Sequence, residues 1–257
     1  MITESGHLTL HCNATPADRA DLIAVPLPER TESYTPVPHI DLVTNVEMVA
    51  RKMFANMDIV GESYGLTKDG KQMFGLLKIG GSMTDADGGL GRAIGFRNSY
   101  DKTMSVSIAF GLNVFVCDNL VISGSTVIKA RHTGDVQQTL INRLAAAMFT
   151  DQAHWDSTYD DVQKMKDIEM PRENGYEMLG LLAGQEVLKP QTFTEALREW
   201  RTPSHEVFAE HRTAWSLYNA CTFALKRTPI HQSFQRHEAL HKAFTDAFVP
   251  VLCPVAL

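Results

Sequence analysis

The middle of the chain alternates apolar and polar residues with a period of two, which predicts β-strands. The stretch DIVGESYGLTKDGKQMFGLLKIG, residues 58–80, contains two such runs joined by Asp69-Gly70, a dipeptide that accepts the positive φ angles of a tight hairpin. A second pair of runs, RAIGFRNS and MSVSIAFGLNVFV, is joined by YDKT, and STVIKARHT predicts one more strand. We therefore expect an antiparallel, meander-like sheet.

Helical spacing is found on either side of these strands. In residues 40–54, Leu42, Val46 and Val49 recur every three or four residues and predict an amphipathic helix. After Gly134 the strand pattern stops, and prolines separate the predicted helical segments. These segments are DVQQTLINRLAAAMF, which YDDVQKMKDIEM extends or repeats, then TFTEALREW, SHEVFAEHRTAWSLYNACTFALKR and HQSFQRHEALHKAFTDAF. The pattern predicts an α+β fold: an antiparallel β-hairpin sheet with a preceding helix, followed by an α-helical C-terminal half.

Residues 1–38 contain five of the eleven prolines, which break regular structure. A short helix is predicted in TPADRADLIAV, with Thr15 as its N-cap and Pro16 at its first position. The rest of this stretch is expected to be an extended arm. The predicted division is a Pro-rich arm (1–38), a sheet region (39–133) and a helical region packed on it (134–257).

The 257 residues carry a formal net charge of −6, which argues against a uniformly basic surface that coats duplex DNA. The four cysteines form no C-x-x-C pair, so a reduced, intracellular setting is expected. The start of the chain lacks the pattern of a secretion signal, and no apolar run reaches the roughly 18 residues of a membrane span. We expect a cytoplasmic protein that does not associate with membranes.

Positive charge is concentrated in the predicted sheet. Residues 39–133 hold ten Lys or Arg against nine acidic residues, whereas residues 134–257 hold twelve against sixteen. Cations near the aromatic residues Phe96, Tyr100 and Phe115, with serines at 105 and 107, are typical of surfaces that bind single-stranded nucleic acid. They are equally compatible with ordinary solvent-facing strands around an aromatic core. The candidate nucleic-acid-binding residues are Lys78, Arg92, Arg97, Lys102, Lys129 and Arg131.

The stretch HEALH, residues 237–241, matches the H-E-x-x-H pattern of zinc metalloproteases. On a helix, His237 and His241 share an arc with Phe234 and Phe244, which favours packing over metal binding. A catalytic zinc also needs a third ligand, and Ala247 stands where the extended motif has a histidine, while no Glu follows His241. We expect a closing helix that packs on the helical half, with no metal site.

No other motif indicates catalysis or a cofactor. The glycine-rich stretch GGSMTDADGGLG leads into a strand and lacks the Gly-Lys-Ser/Thr of a phosphate loop. Asp160 and Asp161 point about 100° apart on a helix, so a solvated face is the expected role. Cys117 has no sequence-local base. We therefore predict a non-enzymatic protein without cofactors.

The sequence GFRNSYDKTMSVSIAFGLNVFVCDN resembles the phage/plasmid-like proteins that carry domain of unknown function 932. The resemblance rests on Arg97-Asn98-Ser99 and on the later triplet Cys117-Asp118-Asn119. YTPVPHIDLV upstream and TAWSLYNACTFAL downstream extend it over roughly residues 34–225. Leu120 stands where family members often have glycine. The resemblance implies a mobile-element protein and brings no established activity.

The leading hypothesis is a non-enzymatic nucleic-acid-binding protein of a phage or plasmid that holds single-stranded DNA by backbone contacts from the sheet, for binding or annealing in recombination. Its element order is similar to the core of single-strand annealing proteins of recombination, which also makes a homo-oligomer the expected form. An alternative is a protein-interaction module that inhibits or modulates a host defence system, with a host protein as its partner. A zinc-dependent hydrolase built on HEALH is the remote alternative.

Overall fold

The computed structural model of the protein describes residues 14–54, 58–80, 90–114, 119–122 and 127–249. Several positions discussed above lie outside these ranges: the core of the glycine-rich stretch at 81–89, Phe115, the Cys117-Asp118 pair and the cysteines at positions 12 and 253.

One antiparallel sheet of seven strands organises the described chain. The strands are β1 (Thr15–Ala17), β2 (Ile59–Thr67), β3 (Gln72–Ile79), β4 (Leu90–Ser99), β5 (Val106–Val114), β6 (Asn119–Val121) and β7 (Val127–Ala130). Their order follows the chain from β1 to β5, and both β6 and β7 pair with β5. Strand β7 pairs with the first half of β5 and β6 with its last three residues. The predicted meander is confirmed.

Helices precede the long strands of the sheet and fill the C-terminal half, which confirms the predicted α+β fold class. The helices are α1 (Arg19–Ala24), α2 (His39–Met53), α3 (Val136–Asp167), α4 (Arg172–Gly184), α5 (Pro190–Arg201), α6 (Val207–Glu210), α7 (Ala214–Leu225) and α8 (Ser233–Phe248). No helix in the described ranges combines the length and the apolar character needed to cross a membrane.

The hairpin between β2 and β3 turns where the sequence predicts. Lys68, Asp69 and Gly70 all have positive φ, at 52°, 56° and 83°. An added Cβ on Gly70 would also lie 2.8 Å from a methyl carbon of Val25, so glycine is required there by both backbone and space.

Both faces of the sheet are covered. On the first face, side chains such as Leu77, Ile94 and Ile108 pack against α2 and the first turns of α3. On the second face, Phe74 and Ala109 pack against Ile230 and Phe234, which come from the start of α8 and the segment before it. The period-two alternation of the strands therefore serves two cores rather than one core and one solvent face.

Helix α3 joins the sheet region to the helical half. Its first turns, with Leu140 and Leu144, belong to the core under the sheet, whereas Val162 and Met165 near its end belong to the core of the helical half. Strand residues Leu112 and Val114 also enter this second core. The predicted boundary at residue 134 thus marks a change of secondary structure within continuous packing.

The start of the first helix differs from the prediction. Thr15 and Pro16 belong to β1, paired with Leu66 and Gly65, instead of opening a helix. Asp18 is the N-cap of α1, because its side chain accepts a hydrogen bond from the Asp21 amide while Asp21 bonds back to the Asp18 amide. This reciprocal capping box is stronger than the single cap that the threonine offered.

Candidate nucleic-acid interface

A basic groove lies at the edge of the sheet beside β7. It has a volume of about 490 Å³. Three cationic side chains line it, together with the hydroxyl residues Ser105, Thr133 and Thr139, and the lining seen in the described chain includes no carboxylate. We call this site the edge groove; its cations are Lys129, Arg131 and Arg143.

Strand alternation places two of the cations. Ile128 and Ala130 pair with the first half of β5 and point into the core, so Lys129 and the following Arg131 point to the other side, where both are exposed. The sequence predicted both residues as candidates, and the structure brings them into one groove.

Arg143 is the cation that the sequence analysis missed. It lies beside the buried arc of α3, and its Nη1 donates to the backbone carbonyl of Lys129 at 2.5 Å. The contact satisfies an edge-strand carbonyl that would otherwise face solvent. The spacing of Val136, Thr139 and Arg143 along one side of the helix could have suggested a shared surface, but only the packing of α3 against β7 shows what that surface faces.

The nearest carboxylate in sequence is engaged elsewhere. Asp135 is the N-cap of α3 and accepts a hydrogen bond from the Gln138 amide at 3.2 Å. It lies outside the lining of the edge groove. The groove is therefore a local concentration of positive charge on a protein whose net charge is −6.

Lys102 lies near the same end of the sheet, at the turn between β4 and β5. Its Nζ is 4.6 Å from the ring centroid of Tyr34, and that ring is 5.2 Å from the ring of His132, next to Arg131. The exposed ammonium group is thus held on an aromatic ring, outside the lining of the groove but on its approach.

Two predicted cations are buried, and their expected role needs correction. Arg92 is 5% exposed, and its guanidinium carbon lies 4.9 Å from the ring centroid of Phe54 and 4.5 Å from that of Trp155. Arg97 is 4% exposed, and its Nη1 donates to the carbonyl of Ile230 at 2.6 Å. Both side chains join the sheet to the layers that cover it, so neither is placed to touch a nucleic acid in this structure.

The remaining predicted features of the sheet surface are also largely internal. Lys78 is half-buried on the second face, where its side chain runs past Gly61. Phe96 and Tyr100 are buried, as is Ser107. The covered sheet therefore offers no broad stacking platform among its described residues, and the exposed cations collect at its edge instead.

A buried polar cluster supports the end of the sheet next to this edge. Asn98 Nδ2 lies 2.6 Å from the Val37 carbonyl and 3.0 Å from His39 Nδ1. Since an amide nitrogen donates, His39 Nδ1 accepts, and its Nε2–H donates to the Gly70 carbonyl at 2.9 Å. The hydrogen bonds thus require the neutral imidazole, and burial lowers the pKa of His39 to about 4.

Burial also favours the neutral form of the other titratable groups in this cluster. It lowers the pKa of His132, whose Nδ1 lies 3.3 Å from the Thr35 carbonyl, and raises the pKa of Tyr100 to about 12. All of these groups are therefore neutral near pH 7. This cluster could not be predicted from the sequence, because its members are up to about one hundred residues apart and no local pattern shows that they meet.

The HEALH histidines lie in the core of the helical half. His237 is 1% and His241 is 4% exposed, on the face of α8 that also buries Leu240 and Phe244. His241 Nε2 is 3.4 Å from a carboxylate oxygen of Asp161. The predicted packing of this face is confirmed, and within the described ranges no group of three or more His, Cys, Asp or Glu is placed to hold a metal ion.

Asp161 corrects one interpretation of the acidic pair. Asp160 is exposed, as expected for a solvated helix face, but Asp161 is half-buried between His241 and Lys164, with a nitrogen-to-oxygen distance of 4.0 Å to the lysine. The 100° between neighbouring residues puts one carboxylate in water and the other at the interface with α8.

A larger cavity of about 920 Å³ lies between the end of α3, α6 and the start of α7. Its apolar lining includes Phe208 and Trp215, both buried. The charged groups around it are Asp167, Glu169, Glu210, Lys166 and Arg212.

Taken together, these features define a class of α+β protein in which a seven-stranded antiparallel sheet is covered on both faces, carries a buried His-Asn-Tyr cluster at one end and collects exposed cations at one edge. The chain belongs to the family defined by the domain of unknown function DUF932, whose sequence profile matches residues 26–244. The match extends from the segment before α2 into α8. Comparisons with curated proteins and with solved structures gave no match.

Proposed function

We propose that the protein binds the sugar-phosphate backbone of single-stranded nucleic acid in the edge groove, without catalysing a reaction. The observation that carries the proposal is the meeting of Lys129, Arg131 and Arg143 in one groove whose described lining has hydroxyls but no carboxylate. Lysine and arginine side chains with nearby hydroxyls are the usual donors to phosphate oxygens.

A single strand suits this groove better than a duplex. The groove is confined to one edge of the sheet, and a flexible strand can enter a cavity of about 490 Å³. A duplex carries roughly one charge per 1.7 Å of axis and would bring that charge against a protein of net charge −6. We therefore expect single strands to bind more tightly than duplexes of equal length.

The test is fluorescence anisotropy with a labelled oligo-dT of about 30 nucleotides over a range of salt concentrations. Replacing Lys129 and Arg131 by alanine removes two phosphate contacts, so the slope of log K against log salt becomes shallower by about 1.4. Arg51→Ala, an exposed arginine on α2, is the matched control and leaves the slope unchanged. Absence of binding at low salt, or equal slopes in all three proteins, contradicts the proposal.

We also propose a biological setting and an oligomeric state for this activity. The family resemblance favours a phage or plasmid protein acting in the host cytoplasm, and a role in recombination calls for a homo-oligomer. Sedimentation velocity over a range of protein concentrations, with and without oligo-dT, measures the assembly state. A monomer under every condition contradicts the expected oligomer while leaving single-strand binding open.

A second candidate function is a module that binds a host protein. The cavity beside α6 favours it, because three exposed carboxylates outnumber the two cations, Lys166 and Arg212, around an apolar lining, and a basic segment of a partner fits this negative excess. Affinity capture from nuclease-treated lysate, with Glu169→Lys/Glu210→Lys as the matched bait, tests it. A stoichiometric partner lost with the variant supports this function; equal capture by both baits contradicts it.

A further inference from the structure

A second basic groove lies where the start of α5 meets the connection between α7 and α8. It has a volume of about 660 Å³ and is lined by cations and one carboxylate, Glu195, together with Thr192, Thr194 and Gln232. We call it the helical groove; its cations are Lys189, Arg227 and Arg236.

The cations of the helical groove outnumber the acids that face them. Lys189 Nζ is 2.8 Å from Glu186, and Arg227 is 3.5 Å from Glu195. Glu195 is shared with Arg198 at 2.5 Å, and Arg236 donates to the carbonyls of Glu186 and Val187 without using a carboxylate. Among the described lining residues, three cations thus share the groove with one carboxylate, Glu195.

These cations remain accessible despite their ion pairs. The side chain of Lys189 is 48% exposed and that of Arg227 is 61% exposed. Exposed ion pairs are weak and screened by solvent, so a phosphate can take over the contact. The helical groove therefore has the charge and exposure of an anion-binding surface.

The side chain of Lys129 in the edge groove lies on the second face of the sheet, which the segment beside the helical groove covers, whereas Arg143 lines the edge groove from α3 on the first face. Ser107 pairs with Lys129 on one side and with Arg97 on the other, so these two residues are about 10 Å apart across two strand spacings. Arg97 in turn holds the Ile230 carbonyl at 2.6 Å. Ile230 belongs to the segment whose neighbours Thr228, Pro229 and Gln232 line the helical groove.

The surface between the grooves contains exposed polar groups. His231 is exposed, and its Nε2 lies 3.0 Å from the side-chain nitrogen of Gln232, which lines the helical groove. Arg97 fixes this segment against the sheet from below. The buried arginine thus positions the surface that connects the two sites.

We propose that the two grooves form the two ends of one path for a single strand, which crosses the segment 228–232. The inference rests on the proposed function of the edge groove and assigns a further phosphate-binding site to Lys189, Arg227 and Arg236. A short oligonucleotide fills the edge groove alone, whereas a longer one gains contacts in the helical groove.

A length series of oligo-dT, from about 6 to about 30 nucleotides, tests the path. In Lys189→Ala/Arg227→Ala, the shortest oligonucleotides keep wild-type affinity, while the longest lose affinity and show a salt slope shallower by about 1.4. Lys189→Ala/Arg227→Lys keeps one of the two charges, so it shows about half of that change in slope. Arg172→Ala is the matched control and changes nothing: it is an exposed arginine at the start of α4, where its carbonyl accepts from Trp200 near the far end of α5.

The outcomes separate this inference from the proposed function. If Lys129→Ala/Arg131→Ala weakens binding but Lys189→Ala/Arg227→Ala leaves long oligonucleotides unaffected, the path is wrong and the edge groove stands. If the wild-type protein binds no oligonucleotide, both fail. Thermal unfolding of each variant at the wild-type temperature confirms that a lost affinity reflects lost contacts.

Discussion

The imidazole of His39 lies parallel to the phenol ring of Tyr100, with ring centroids 3.8 Å apart and an interplanar angle of 1°. The backbone N–H of His39 also donates to the Tyr100 hydroxyl oxygen at 2.7 Å. His39 is the first residue of α2, and Tyr100 follows the end of β4. The pair therefore fixes the start of the first long helix onto the sheet, close to the turn that carries Lys102.

This arrangement predicts that the protein already loses stability as the pH falls from 6.5 towards 4, a window that lies above the pKa values of most carboxylates. The pKa of His39 is about 4 in the fold and about 6.5 in the unfolded chain, so between these values the unfolded chain binds more protons. Stability from this group is complete above pH 6.5 and is lost as the pH falls towards 4, by about 3 kcal/mol in total. Urea denaturation between pH 7.5 and 4 measures the effect.

The control for this effect is the variant His39→Gln, which cannot titrate. It is less stable than the wild type at pH 7.5, but its free energy of unfolding falls less steeply below pH 6.5, by up to about 1.4 kcal/mol per pH unit. Parallel profiles for His39→Gln and the wild type contradict the neutral, hydrogen-bonded imidazole.

Gly75 in β3 predicts a second stability effect. It pairs with Phe96 in β4, and a Cβ at this position would overlap the Phe96 ring, which is fully buried. We expect Gly75→Ala to cost about 1–3 kcal/mol, because a packed core cannot move aside for the methyl group. Gly180→Ala on the open side of α4 is the opposite case and stabilises by about 0.5–1 kcal/mol. Equal effects of the two substitutions contradict this packing.

Much of the fold was predictable because its signals are local. Asp69-Gly70 has the chemistry of its turn, and the period of two in Val106, Ile108 and Phe110 defines β5 whatever covers it. The same alternation could not show that the opposite face is buried too. That face is closed by Ile230 and Phe234, more than one hundred residues later, and small residues such as Ala109 suit close packing as well as solvent.

The site was predictable only in part, for the same reason. Lys129 and Arg131 lie at the surface as expected, because an edge strand exposes its charged residues whichever layers cover the sheet. Arg92 and Arg97 were misplaced because a buried arginine looks like an exposed one in sequence until its partners are known. Arg143 was missed because the sequence does not show that α3 packs against β7.

Arg97 allows the structural and binding roles of arginine to be separated. Its guanidinium carbon lies 4.9 Å from the Phe234 ring centroid, and it donates to the Ile230 carbonyl. Arg97→Ala leaves that carbonyl without its donor and removes the guanidinium from the Phe234 ring. We expect the free energy of unfolding to fall by about 2–4 kcal/mol. Arg131→Ala, at an exposed position, changes stability by less than about 0.5 kcal/mol but weakens oligo-dT binding.

Urea denaturation and anisotropy on both variants measure these opposite effects. Below its unfolding midpoint, Arg97→Ala keeps the wild-type salt slope with short oligonucleotides that fill only the edge groove. A shallower slope for folded Arg97→Ala, or a large stability loss in Arg131→Ala, contradicts the assignment of the two roles.

His241 provides the decisive test of the metalloprotease-like motif. Its Nε2 lies 3.4 Å from Asp161 and its ring is perpendicular to that of Tyr218, at a centroid distance of 6.0 Å. His241→Ala opens a cavity and leaves Asp161 without this contact, so we expect a loss of about 2–4 kcal/mol in the free energy of unfolding. Glu238→Ala, on the exposed side of α8, changes stability by less than about 0.5 kcal/mol.

Elemental analysis of the same three proteins distinguishes packing from metal binding. If the two histidines only pack in the core, the purified wild type contains well below one equivalent of zinc. Both variants then contain the same amount. Stoichiometric zinc that disappears in His241→Ala contradicts the packing role, because it requires His237 and His241 to turn from the core towards a shared ion. Stability loss with unchanged metal content places both histidines in the core that α8 closes over α3 and α7.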